Sequence, residues 1–152
     1  SGSKLLCDEA SDALIHQLLP LGTVITPNIP EAEVLCGFAI DSKEKMIEAA
    51  RVISANVQGG VLVKGGHFAE DADDLLYIEE TPHWFASERI DNPNTHGTGC
   101  TLSSAIACGL AGGLQLPEAI AGAKEYITGA LRAQMNLGHG SGPLNHMYQL
   151  SK

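Results

Sequence analysis

Two rhythms of apolar and polar positions run along this chain, one helical and one extended, and they exchange several times. CDEASDALIHQLLP carries apolar residues at helical spacing through Ala10, Ala13, Leu14 and Leu18. Asp8 is placed to cap that helix, and Pro20 and Gly22 close it. TVIT (23–26) is a short β-branched run that suits a buried strand. PNIPEAEVLCG then predicts a turn and a short helix stopped by Gly37. SKEKMIEAARVISANVQGG predicts an amphipathic helix that starts at Ser42 and ends between Asn56 and Gly60. VLVK (61–64) is a second buried strand, closed by Gly65 and Gly66. DDLLYIEE and HWFASERI predict a pair of strands joined around Thr81 and Pro82. Two helices come last, one over 98–112 and one over LPEAIAGAKEYITGALRAQM with Pro117 in its first turn. The glycine-rich tail NLGHGSGPLNHMYQLSK predicts a loop.

Strands that alternate with helices indicate an α/β fold with a mainly parallel sheet flanked by helices, and a single domain over residues 1–152. Such sheets bind ligands where loops leave the carboxyl ends of strands. Segments 26–31, 64–67 and 94–100, each rich in glycine or asparagine, fall at such ends.

Composition narrows the function classes. A hydrophobic share of 44% and a charged share of 18% fit an ordinary globular protein. A net charge of −9, with nine scattered Lys and Arg, argues against nucleic acid as a partner. Any phosphorylated ligand must therefore be held by backbone amides and one or two lysines. No apolar run is long enough to span a bilayer, and the start SGSKLLCDEA lacks the order of a signal peptide, so a cytoplasmic protein is expected. Cys7, Cys36, Cys100 and Cys108 form no CxxC pair, which predicts free thiols.

Candidate chemistry gathers in the three glycine- or asparagine-rich segments. Gly97, Thr98 and Gly99 run into an Ala-rich helix with Cys100 in its first turn. Backbone N–H groups at a helix start carry partial positive charge, and glycines let them approach an anion closely. The same field favours a thiolate, which makes Cys100 a candidate proton acceptor. A tight turn followed by a small buried cysteine explains the same four residues, and Cys108 reads as a core residue. Asn28 and Glu31 stand at the spacing of a capping box. The same pair also suits a Mg²⁺ ion that keeps most of its water. Lys64 ends an apolar strand before two glycines, where an ammonium either meets phosphates or simply reaches solvent. Neither a P-loop nor a dinucleotide-binding glycine pattern occurs. His96 precedes the glycine turn and His67 follows Gly66. His16, His83, His139 and His146 read as surface residues, and Trp84 with Phe85 reads as packing.

Together, TPNIPEAEVLCG, VLVKGGH and NTHGTGCTLSSAIACGLAGG resemble the ribokinase-like small-molecule kinases, and within them the hydroxymethylpyrimidine/phosphomethylpyrimidine kinases of thiamine biosynthesis. The resemblance runs from SKLL to the last long helix. Its most specific part is HGTGCT, because many relatives in the superfamily carry an aspartate where this chain has Cys100. The resemblance implies transfer of the γ-phosphoryl of ATP to a pyrimidine alcohol, with Cys100 as base and Gly97, Thr98 and Gly99 as anion hole. It implies Mg²⁺ and phosphate contacts at Asn28 and Glu31, Lys64 near the ATP phosphates, and Thr95 and His96 on the cofactor side. Hydroxyethylthiazole kinases share the GTGC pattern. A non-catalytic nucleotide-binding module is an alternative of another class, and so is a cysteine hydrolase, for which no convincing His partner stands out. Family members carry a substantial N-terminal part before SKLL, including pyrimidine contacts, so the chain resembles the C-terminal portion of the kinase. A homo-oligomer, most simply a dimer, is expected.

Overall fold

The computed structural model describes residues 8–66, 73–86, 90, 92, 97–135, 137 and 142–150. They fall into two compact units that divide between Glu88 and Arg89.

The first unit opens with helix α1 (Asp8–Ala13). The helix widens into a π turn at Leu14–Leu18 and tightens into a 3₁₀ turn at Leu19–Leu21 that contains Pro20. Strand β1 (Val24–Ile25), helix α2 (Ile29–Cys36) and helix α3 (Lys43–Ser54) follow. Strands β2 (Gly60–Val63), β3 (Asp74–Ile78) and β4 (Thr81–Phe85) complete the unit. Local chemistry sets these boundaries. Ser42 caps α3 by accepting the Lys45 N–H at 3.2 Å. Gly37 ends α2 in the left-handed conformation at φ 82°.

The strands form one sheet in the order β1-β2-β3-β4. β1 runs parallel to β2, while β2–β3 and β3–β4 are antiparallel, so the sheet is mixed. The α/β expectation holds, with fewer parallel pairs among the described strands than alternation of elements suggested. Every residue of β2 is buried, as an uninterrupted apolar run requires when both faces of a strand are covered. Ile25, Val61, Val63, Leu75 and Tyr77 share a core with Met46, Ala49, Ala50 and Ile53 of α3. β4 lies at an edge and is exposed along Thr81–Trp84, with the Lys43 ammonium 5.4 Å from the Trp84 ring centre.

The β3–β4 hairpin turns two residues earlier than expected. Pro82 lies inside β4, opposite Tyr77, and the loop is Glu79–Glu80 with both φ values positive (49° and 60°). A two-residue hairpin loop with two left-handed residues is the type that favours Asn-Gly, because side chains with a Cβ crowd the backbone there. Glu79→Asn combined with Glu80→Gly is therefore expected to raise stability by about 1–2 kcal/mol. A thermal melt checks this, and no rise would show that the two glutamates sit there without strain.

The second unit is a helical pair, α4 (Thr98–Ala111) and α5 (Leu116–Arg132). Gly109 makes their close approach possible: a Cβ there would lie 2.9 Å from the Cβ of Ala119. α5 starts in a capping box between Gln115 and Glu118, with Pro117 in its first turn. The end of the chain folds back on α5. Leu144 is buried, and the Tyr148 ring lies over Gly129, where a Cβ would collide with it.

Candidate active site

The first unit brings two of the three candidate segments together. Beyond β1 the chain continues alongside β2, where Asn28 and Lys64 form a parallel bridge and the Lys64 N–H donates to the Pro27 carbonyl at 2.9 Å. The backbone of Lys64 is thus fixed beside the start of α2. At that start the capping box is complete. The Glu31 N–H donates to Asn28 Oδ1 and the Asn28 N–H donates to Glu31 Oε2, both at 2.8 Å. The box satisfies two donors that a helix start leaves open, and Glu31 stays exposed to solvent.

The third segment lies in the second unit. Gly97 takes the left-handed conformation at φ 84° and stands as the N-cap of α4 without a side chain to cap it. The helical ladder begins with the Thr101 N–H donating to the Gly97 carbonyl at 2.9 Å, so Thr98, Gly99 and Cys100 form the first turn. The Cys100 thiol is exposed, against the alternative of a small buried cysteine. Cys108 is exposed as well, which corrects its reading as a core residue. The reason is helical phase. Leu102 and Ile106 form the buried stripe of α4, while Cys100, Ser104 and Cys108 follow one another at four-residue steps along a different face. That face lines a groove of about 620 Å³ that Tyr126 and His146 also line.

His146 does more than coat the surface. The Tyr126 hydroxyl donates to the His146 carbonyl at 3.3 Å and lies 3.2 Å from its Nδ1, with the two rings stacked at 6.2 Å. Asn92 was also missed. Buried, it donates from Nδ2 to the Leu131 carbonyl at 2.8 Å and ties the segment before α4 to the end of α5. Its position beside Pro93 gave a turn signal but nothing that named its acceptor. Thr95, His96 and His67 lie outside the described residues, as do Cys7 and His139. Cys36, Cys100 and Cys108 are free thiols, as expected. Among the described residues no three His, Cys, Asp or Glu side chains cluster to hold a metal by themselves. No described helix is long and apolar enough to cross a membrane.

The mixed sheet flanked by helices, matched by solved kinases at 42% and 40% identity, is a ribokinase-like fold. A Bacillus subtilis pyridoxal kinase solved as an ADP complex superposes on 96% of this chain with a TM-score of 0.88 and 42% identity, over 58% of its own length. The sequence profile described as Phosphomethylpyrimidine kinase matches residues 1–145, and the chain belongs to that family. The hydroxymethylpyrimidine/phosphomethylpyrimidine kinase of Streptomyces coelicolor is 45% identical over 151 residues, which are 99% of this chain and 56% of that protein. The thiamine biosynthesis bifunctional protein ThiED of Geobacter sulfurreducens is 50% identical over 147 residues, 96% of this chain and 30% of that protein. The chain thus spans about half, or less, of the length of these relatives.

Proposed function

We propose that this chain supplies the nucleotide-side and proton-accepting groups of a kinase that phosphorylates hydroxymethylpyrimidine and its monophosphate from ATP in thiamine biosynthesis. The observation that carries the reading is the opening of α4, where left-handed Gly97 leads into a first turn that presents an exposed Cys100, in a chain of this family. The backbone amides of that turn suit the transferring phosphoryl group, whose charge a helix start stabilises. Cys100 takes the proton of the attacking alcohol. Lys64 meets the nucleotide phosphates as a point charge.

The oxygens of Asn28 and Glu31 suit a water-coordinated Mg²⁺, which needs few protein ligands. When bound, Mg²⁺ neutralises charge on the transferring phosphates. Glu31→Gln separates this role from capping, because the amide keeps an acceptor and loses the charge. A raised Mg²⁺ requirement for phosphorylation with little change in melting temperature is expected. An unchanged Mg²⁺ titration would assign the residue to capping alone.

Phosphorylation assays decide the acceptor, in a polypeptide that joins this chain to the remaining portion of the Streptomyces relative. Turnover of hydroxymethylpyrimidine and its monophosphate is expected. Turnover of hydroxyethylthiazole alone would overturn the acceptor, and nucleotide binding without turnover would leave a non-catalytic module. The likeness to a pyridoxal kinase makes pyridoxal a second alcohol to include.

A further inference from the structure

The antiparallel ladder between β2 and β3 ends at the pair Val63 and Leu75. One residue further, on strand β3, stands Asp74, a carboxylate only 7% exposed, beside Leu75 and Leu76, which are fully buried. Its Oδ1 accepts the N–H of Gly65 at 2.9 Å in a buried bond. The side chain thus supplies an acceptor to Gly65 just past the end of the pairing, and a bond to a charged acceptor is stronger than a neutral one. Gly65 is pressed so closely on the Asp73 carbonyl that a Cβ would collide with it. Asp73 is in turn paired with Lys43 of α3 at 3.0 Å. Lys64 lies between this clamp and the Pro27 carbonyl on its other side.

We propose that Asp74 is a positioning residue of the nucleotide site. Its buried carboxylate holds the Gly65 turn and so fixes the backbone that carries Lys64. This rests on the reading of Lys64 as a phosphate contact. A side chain that only completed the core would be apolar at this position, as its two successors are. The carboxylate instead spends its burial on a backbone donor next to the one lysine that the three candidate segments contain.

Binding of AMP-PCP with Mg²⁺ to a polypeptide that joins this chain to the remaining portion of the Streptomyces relative, measured below the melting temperature of each variant, tests the proposal together with hydrogen exchange at the Gly65 amide. Asp74→Ala removes the acceptor. It is expected to weaken AMP-PCP binding about tenfold or more and to speed Gly65 exchange by a similar factor. Asp74→Asn keeps Oδ1 and should stay within about threefold of the unaltered chain in both. Leu75→Ala lowers the melting temperature through a core cavity and should leave affinity unchanged, which separates positioning from general stability. Should Asp74→Ala not fold, Asp74→Ser, whose hydroxyl is shorter, takes its place. Lys64→Met tests the underlying reading on its own. If Lys64→Met weakens binding and the Asp74 variants do not, the positioning role is overturned while the Lys64 reading stands. If Lys64→Met changes nothing, or the unaltered joined polypeptide does not bind AMP-PCP, the Lys64 reading falls and the proposal falls with it.

Discussion

Cys100→Ala is expected to lower turnover by about two to four orders of magnitude, the range lost with a general base. The measurement belongs in a polypeptide that joins this chain to the remaining portion of the Streptomyces relative. Cys100 occupies the first turn of α4, where the field of the helix start and the amides that suit the phosphoryl group coincide. A base there needs no reach across the site, because it shares one turn with the amides proposed to stabilise the transferring phosphoryl group. The thiol is exposed, so its removal leaves no cavity, and the melting temperature should hold. Nucleotide affinity should hold as well, since the substitution leaves the backbone amides in place. The loss thus falls on kcat with little change in KM for ATP. Cys100→Asp should keep appreciable activity, because the resemblance to the wider superfamily places an aspartate there. Near-normal turnover in the alanine variant would leave the thiol without a catalytic role and require another proton acceptor. Cys108→Ala is the control: the residue shares the exposed face but lies nearly three turns from the helix start, and activity should be unchanged.

Much of the first unit was legible because short-range rules decide it. Ser42 caps α3, Gly37 stops α2, and Asn28 with Glu31 forms the box their spacing promised. β2 reads as a buried apolar run and is one. Elsewhere, tertiary effects decided the outcome. Pro82 marked the hairpin turn in the sequence, yet the register paired it with Tyr77 and left the turn to two glutamates in a conformation their side chains disfavour. Cys108 looked apolar enough for a core, but helical phase relative to Leu102 and Ile106 decides exposure, and a helix without charged residues hides which face is buried. The site was legible as three separate segments. The bridge between Asn28 and Lys64, and the bond from Gly65 to Asp74, depend on strand pairing that no local pattern announces. The tail gave no periodic signal, since Leu144 and Tyr148 are placed by α5 and by the bare backbone at Gly129 rather than by any element of their own.

As an isolated polypeptide these 152 residues are expected to self-associate, as a dimer or larger, and to leave hydroxymethylpyrimidine unphosphorylated. Strand β1 is two residues long and lies at an edge of the described sheet, where its outer backbone groups invite a further strand. α4 has no charged side chain along its fourteen residues, yet Ser103, Ser104, Ala107 and Cys108 are exposed. Val34 of α2 and Leu114, just before α5, are 75% and 47% exposed. Helices that are uncharged on every side are ordinarily covered on every side, and the relatives carry roughly as much chain again beyond the matched part. Covering exposed apolar surface stabilises by about 25 cal/mol per Å² removed from water, against a net stability of only about 5–15 kcal/mol for a domain. A few uncovered positions are therefore enough to favour association through the same surfaces. The resemblance places pyrimidine contacts in the N-terminal part of the family, so substrate binding should fail even where the fold persists. Size-exclusion chromatography at several concentrations and a kinase assay on the same preparation check both parts of the expectation, and a thermal melt shows whether the fold persists. A monomer that melts cooperatively and phosphorylates hydroxymethylpyrimidine unaided would show that these edges and faces are self-sufficient, and that the groups needed for the pyrimidine lie within residues 1–152.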